Sequence, residues 1–386
     1  LILLVGAGLL MRTLWKLQSV DPGFNPHNVL TASLSLADKK FSTPQQTSLF
    51  YEQVRQQVKA VPGVTSAALV TSLPFSGGSI QPVGLEGHPV VAMADQPEVP
   101  VRLISADYFR SMGIGILQGR EFTDNDTSER PRVAVISEAM AKRFWPGERA
   151  IGKHVSLTFS QGGPREIVGV VDNVKLRGLD VQEDLPTLYS PVSQLDYPDP
   201  KFDEFRSPSL SLVVRTSLAP KNVATAVTNA VHKVDAGTPV LDVLTMEELM
   251  ASSLAPQRFN MFLLGTFAAV ALLLATIGIY SVLAYSVQRR TPEIGIRIAL
   301  GAQVSHVLRL VLGEGMGLVL AGVAFGVVGA LALSRFLRSL LYGVGSDDIP
   351  TLLCVAALLS IVALGACYLP ARRAMRIDPV VALRDE

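Results

Sequence analysis

Of the 386 residues, 49% are hydrophobic and only 17% charged, with a mean hydropathy of +0.36 and a formal net charge of +1. So small a net charge excludes a global field that would gather nucleic acid or an acidic partner. The long charge-free runs cluster after residue 258 while residues 20–258 read as a soluble mixture, which excludes an ordinary soluble protein and points to a soluble domain joined to membrane spans.

In chain order, the opening "LILLVGAGLLM" is apolar up to Arg12 and too short for a span of about 20 residues. No basic segment precedes it and no small-residue cleavage site follows, so it reads as the tail of a membrane helix whose beginning is missing. Residues 28–72 then read as strand, helix, strand. "VLTASLSL" alternates like a half-buried strand. Thr43 is the predicted N-cap and Pro44 the first helical residue of "TPQQTSLFYEQVRQQVKAV", with Leu49, Val54 and Val58 along one face. "PGVTSAALVT" turns and returns.

Residues 209–244 repeat that pattern in "SLSLVVR", "APKNVATAVTNAVHKV" and "TPVLDVLT". Two such units predict an α+β fold: a split ferredoxin-like βαβ layer (28–74 and 208–245) within a domain of residues 20–245, with a β-rich subdomain inserted at 75–207. "MEELMASSLAPQR" is a short helical stalk over 246–258. Both cysteines, Cys354 and Cys367, fall in the last apolar run, so no disulfide staples the soluble region.

Three complete spans follow: Phe259–Val287, a second within 309–337 whose charge-free part is Gly315–Ser334, and 349–371. With the N-terminal stub this predicts a helical transmembrane domain of four spans, the first truncated. Arg289, Arg290, Arg297 and Arg309 in one short loop, and Arg372, Arg373, Arg376 and Arg384 after the last span, put the 288–308 loop and the 372–386 tail in the cytoplasm. The 338–348 loop and residues 20–258 then lie outside it. No Asp, Glu, Lys or Arg stands mid-span, which argues against an ion path through these helices.

The loop "QRRTPEIGIRIALGA" has the marks of a short helix. Thr291 is a cap, Pro292 takes the first helical position, Glu293 favours the N-terminal dipole and pairs with Arg297 four residues on, and Gly301 ends it. Nine residues do not hold a helix alone in water, and Ile294 and Ile298 share a face that needs cover. Lipid headgroups and a partner protein both satisfy that requirement.

"QRRTPEIGIRIALGA" and the closing "LPARRAMRIDPVVALRDE" resemble the paired cytoplasmic motifs of MacB/FtsX-type ABC transporter permeases. "VPGVTSAALVTSLP", "GILQGREFTDND" and "VISEAMAKRFWPGERAIGK" resemble that family's MacB-like periplasmic core, so the likeness covers nearly the whole chain and is nearest to the second half of the large duplicated permeases. The resemblance implies a multi-pass protein of the bacterial inner membrane that relays ATPase-driven motion to its extracytoplasmic domain. Arg289, Arg290, Glu293, Ile294, Gly295, Arg297 and Gly301 would form the ATPase-coupling site, and Pro370, Arg372, Arg373, Asp378, Pro379 and Arg384 the tail motif. It also implies as partners an ABC-type ATPase carrying the ATP and magnesium, a second permease unit (a homodimer mate or the missing half), and a periplasmic adaptor or outer-membrane channel. An FtsX-like regulator of cell-wall hydrolases is the alternative within the same resemblance, and an ATPase-independent anchor is disfavoured by the intact coupling motifs.

Signals of catalysis are weak. "GERAIGK" fits the phosphate-loop spacing, but His154 stands where Ser or Thr would hold magnesium and a basic helical stretch precedes it. His27, His88, His154, His232 and His306 lack metal-ligand spacing. The chain is expected to be non-catalytic and to hold no cofactor or metal itself, with no nucleic-acid partner.

Overall fold

The computed structural model describes residues 1–36, 43–88, 92–158, 162–181, 183–194, 209–289, 304–334 and 348–374. It divides into two compact units, residues 21–254 and residues 1–20 with 255–386.

The first unit is α+β. Strands β1 (Val29–Leu34), β2 (Val64–Val70), β10 (Leu210–Thr216) and β11 (Val240–Thr245) lie in the order β11-β1-β10-β2, every pair antiparallel. With helices α2 (Pro44–Lys59) after β1 and α5 (Pro220–Val234) after β10, this is the strand order of a ferredoxin-like split βαβ pair. Alternation decides what each face covers. Leu30, Ala32, Leu34, Ala67, Leu69, Leu212 and Val214 point to α2 and α5 and form one core with Val54, Val58, Val223 and Val227. Val29, Ala68, Val70 and Val213 point the other way into a second core. Both faces are buried, which is why the second half of β2, "AALV", is an unbroken apolar run.

Thr43 caps α2 as expected, its hydroxyl accepting from the Gln46 N–H, with Pro44 in the first turn. Leu49 does not join the core face: it is 61% exposed, and the buried stripe runs Thr47, Phe50, Tyr51, Val54, Arg55, Val58 instead. The aromatic pair Phe50–Tyr51 sets the phase of the helix, because two large side chains side by side bury more apolar area than Leu49 alone.

The insertion between β2 and β10 holds β3 (Ile80–Leu85), β4 (Glu98–Ile104), α3 (Tyr108–Met112), β5 (Ile116–Gly119), β6 (Val133–Ser137), α4 (Glu138–Phe144), β7 (His154–Leu157), β8 (Arg165–Val171) and β9 (Leu188–Pro191). Its pairings close on themselves: β4 with β3, β3 with β7, β7 with β8, β8 with β6, β6 with β9, and β9 back to β4. The result is a ring of six strands around Val83, Val101, Ala134, Ile136, Val155, Ile167 and Leu188. Closure leaves those six strands without a free edge, and β5 adds to β8 from outside. "GERAIGK" forms the turn between α4 and β7, with Gly147 and Gly152 at positive φ and the Lys153 ammonium paired with Glu148.

A polar clamp ties the layer to the insertion. Arg55 on α2 is buried and meets Glu52 at 2.7 Å, Asp124 at 2.7 Å and Asp107 at 3.2 Å. Burial works against its charge, but Glu52 and Asp124 outweigh that and raise its pKa. Asp107 holds a left-handed backbone with φ 68 and also receives Lys59 and Arg110, so one strained residue serves three cations.

The second unit is helical: α1 (Ile2–Gln18), α7 (Ala255–Arg289), α8 (Val304–Ser334) and α9 (Ile349–Ala374) pack on one another. The sequence places the start of the first complete span at Phe259 and the stalk across 246–258. The helix instead begins at Ala255, and the separate stalk helix α6 (Met246–Ser253) ends just before it. Similarly α8 begins at Val304, ahead of the charge-free run, because backbone hydrogen bonding continues where the hydropathy signal has not yet begun.

Tyr51 tests the joint between α2 and β10, because its hydroxyl accepts from the Leu210 N–H at 3.2 Å in a buried setting. Tyr51→Phe leaves that N–H unsatisfied and is expected to destabilise the α+β unit by about 1–3 kcal/mol. Denaturant unfolding of the full chain in detergent measures it; an unchanged midpoint would show the bond to be dispensable.

Candidate functional site

The chain joins the two units through residues 18–21 and again at Leu254. The segments of the α+β unit that lead to these joints lie side by side. In the β1–β11 ladder Leu30 stands opposite Thr245, and Thr31 Oγ1 donates to the Leu244 carbonyl at 3.0 Å. Beyond the ladder His27 Nδ1 is 2.5 Å from a Glu247 carboxylate oxygen. The incoming and outgoing segments are therefore cross-tied at strand, hydroxyl and side-chain level.

Each segment is also fixed to the body of the unit. Arg215 donates to the carbonyls of Asn25, His27 and Ser111 at 2.9, 3.0 and 2.8 Å, while the Asn25 N–H bonds Met112 and the Lys175 N–H bonds Pro22. Burial lowers the Arg215 pKa, yet three carbonyls take up its donors. Gly23 sits with φ +79 where a Cβ would lie 1.8 Å from the Asn173 carbonyl oxygen, so only glycine lets the strand run this close. On the outgoing side Thr245 and Glu248 form a reciprocal capping box, at 3.1 and 3.0 Å, that starts α6 without fraying. Glu248 also meets Lys221 of α5 at 2.5 Å; the bonds from Lys221 and the Thr245 N–H hold its carboxyl below the usual range. Met246 is buried, and Leu249 and Met250 pack on the core beneath β1 and β2. One residue, Leu254, separates α6 from α7 in the chain.

The helical unit shows what these segments lead to. Two of its helices, Ala255–Arg289 and the part of α9 from Ile349 to Ala366, are long and apolar enough to cross a membrane, and Val319–Ala332 in α8 is a shorter apolar stretch. Their large side chains face outward: Phe262 is 73% exposed, Phe325 82% and Ile361 67%. Water does not tolerate such a surface, and lipid does. Four hydroxyls of α7 and α9 are satisfied within their own helix, Thr266 on Phe262, Thr276 on Leu272, Ser281 on Ile277 and Ser360 on Ala356, which keeps these donors from standing bare in an apolar medium. Close approaches occur at small residues: a Cβ on Gly8 would sit 2.8 Å from Thr351 and one on Gly326 2.8 Å from Leu1. Arg12 of α1 pairs with Asp348, which caps α9 through the Thr351 N–H at 3.2 Å.

Of the residues singled out from the motifs, Arg289 ends α7, and Pro370, Arg372 and Arg373 lie in the last turns of α9. Arg290, Glu293, Ile294, Gly295, Arg297 and Gly301, with Asp378, Pro379 and Arg384, lie outside the described residues. The cross-tie was not read from the sequence. Thr245 and Glu248, three apart before a helical run, were the legible signal; the His27–Glu247 contact spans too much chain to have one.

Residues 16–234 match the MacB-like periplasmic core domain, and residues 265–379 match the C-terminal region of FtsX-like permeases. The uncharacterized ABC transporter permease YknZ of Bacillus subtilis is 30% identical over 298 residues, covering 76% of this chain and 71% of that protein. The macrolide export ATP-binding/permease protein MacB of Marinobacter nauticus is 28% identical, and the pyoverdine export ATP-binding/permease protein PvdT of Pseudomonas savastanoi 26%, each over 70% of this chain. The chain spans only 41% and 40% of the length of those two. Among solved structures, the periplasmic region of MacB from Actinobacillus actinomycetemcomitans aligns over 61% of this chain and 97% of its own, at 17% identity and a TM-score of 0.38.

The apolar character of α7 is directly testable at Leu273, 60% exposed and near the middle of its charge-free run. Leu273→Arg is expected to cost roughly 3 kcal/mol of insertion free energy and Ser281→Ala almost nothing, read as the fraction resisting alkaline extraction from membranes. Equal extraction of both variants and the wild type would remove the lipid-facing assignment.

Proposed function

Because the chain belongs to the ABC transporter permeases of the MacB and FtsX type, we propose that it is the non-catalytic membrane subunit through which a separate ATPase moves an extracytoplasmic domain. The observation that carries this is the cross-tied pair of segments at His27–Thr31 and Leu244–Glu247, which run on to α1 and α7. Two helices that feed one clamped point act on the domain together, so a displacement in the membrane reaches it as a lever movement and is not absorbed by slack chain. In this reading α1, α7, α8 and α9 are four spans of the bacterial inner membrane.

The loop that begins at Arg289 docks on the ATPase through Arg289, Arg290, Glu293, Ile294, Gly295, Arg297 and Gly301. Pro370, Arg372, Arg373, Asp378, Pro379 and Arg384 lie at the same cytoplasmic surface. ATP and magnesium belong to the partner, and the chain works beside a second permease unit. An adaptor or outer-membrane channel completes the route. Relatives named for macrolide and pyoverdine export support export or extraction of a substrate outside the inner membrane as the purpose of the movement. Spans without mid-membrane charge fit a device that acts outside the bilayer and has no polar path through it.

Two experiments separate the docking and relay parts of the proposal. Glu293→Arg reverses charge on the docking helix, and pull-down of the full-length protein should recover at least tenfold less ATPase while membrane insertion is unchanged. Undiminished recovery would remove the loop from the interface. A Gly-Gly-Ser insertion after Leu254 should leave ATPase association and ATP turnover intact. It should abolish the nucleotide-dependent change in distance between spin labels on paired extracytoplasmic domains in proteoliposomes. A change of undiminished amplitude would rule out α6–α7 as the relay.

A further inference from the structure

Among the described residues two buried arginines of the α+β unit have acceptors: Arg55 has three carboxylates, and Arg165 donates to Ser190 Oγ and the Gly163 carbonyl. The half-buried Arg215 has three carbonyls. Arg102, in the middle of β4 and opposite Tyr189 of β9, is only 3% exposed. Its Nη2 donates to the Gly77 carbonyl at 2.5 Å, while Nε and Nη1, both buried, donate to nothing. Among the described residues no carboxylate pairs with it. A guanidinium does not shed its proton to escape burial, so its charge and spare N–H groups call for an acceptor that the described residues do not supply.

The surroundings are those of a recognition site. The buried phenols of Tyr108 and Tyr189 lie within electrostatic reach of the guanidinium. Over it passes the loop of residues 72–79, with Phe75, Gly77 and Gly78 all at positive φ. A Cβ on Gly78 would lie 1.6 Å from Nη1, so a bare glycine backbone is the layer above the cation. Ser76, Gly77 and Gly78 are themselves exposed. Leu73 and Phe75 anchor the loop in the core, so it is the exposed Ser76–Gly78 tip that must shift to open the guanidinium to solvent.

We propose that Arg102 and the 72–79 loop form an oxyanion-binding site, taking the carboxylate or phosphate group of a ligand against the guanidinium with the loop closing over it. An oxyanion supplies the missing negative charge and accepts from one of the two bare donors, Nε or Nη1, together with the neighbouring Nη2. The proposal stands on the α+β unit alone and does not depend on the ATPase reading.

The test uses the full-length protein in detergent at constant pH and ionic strength, with chloride replaced stepwise by acetate or by phosphate. Hydrogen exchange of residues 72–79 and the thermal midpoint are followed together. The wild type should show a saturable response, with exchange in the loop slowed at least threefold by acetate, by phosphate, or by both. Acetate alone identifies a carboxylate ligand, and phosphate alone a phosphate. Arg102→Met, which keeps length but no donor, should fold, as judged by the fluorescence of the buried Trp145 in a Trp15→Phe background, and lose the response. Arg102→Lys keeps the charge without the planar donor set and should respond at least threefold more weakly; it also serves if the methionine variant does not fold. The proposal falls if the wild type shows no saturable response to either anion, or if either variant responds as the wild type does.

Discussion

The antiparallel ladder between β1 and β11 is the constraint on which the rest of the α+β unit depends. These strands are the first and last of the layer, and their pairing brings residues 29–34 beside residues 240–245 across a separation of some two hundred positions. A domain with chain ends at opposite poles would hang between its two connections. This one has both ends at one edge of one sheet, held by Thr31–Leu244 and His27–Glu247. No single contact there is strong, since the His27–Glu247 pair is exposed and such pairs contribute at most about 1 kcal/mol. The ladder and the packing of Met246 beneath it carry the stiffness.

The same strand order explains how a large insertion is tolerated. In the order β11-β1-β10-β2 the connection between β2 and β10 is the natural place to open the chain, because β2 lies at the far edge from the two chain ends. The inserted ring takes up that edge through the single pairing of Val70 with Ile104 and closes its own strands through β4 and β9. A closed ring brings no new row of unpaired backbone groups against the layer. The apolar core that joins them is reinforced by Arg55, whose three carboxylate partners come from its own helix and from two loops of the insertion. Removing Arg55 would leave those carboxylates without their shared cation, so the clamp depends on the arginine.

Much of this was legible in the sequence where the signal is local. Thr43–Pro44 fixed the start of α2, the repeated strand–helix–strand pattern gave the split layer, and charge-free runs marked the apolar helices. What was not legible depended on distant partners. Ring closure requires residues 101–104 to find 188–191 in parallel register, and nothing in "VRLI" or "LYSP" announces the other. The phase of α2 was misread at Leu49 because periodicity alone does not rank an isolated leucine against an adjacent aromatic pair. Helix starts at Ala255 and Val304 were missed for a related reason: hydropathy marks where lipid could begin, whereas a helix begins where its backbone bonds do. For the coupling residues the sequence was the richer source, since only Arg289 and the helical part of the tail motif fall within the described structure.

Arg55 and Arg102 differ in how their charge is met, and the difference bears on where the unit is stiff. Arg55 is saturated by carboxylates on its own helix and on two loops of the insertion, so any opening there strips a buried cation of its partners, and the joint between layer and ring resists movement. Arg102 is covered by the exposed glycine tip of a loop whose Leu73 and Phe75 are anchored in the core, so lifting the tip breaks the bond to Gly77 and hydrates the cation while those anchors hold. The chain ends are clamped, the ring is closed and the layer is buried on both faces. Among these rigid parts, the loop over Arg102 is where the sequence has put its flexible residues, directly above a charge that needs a partner.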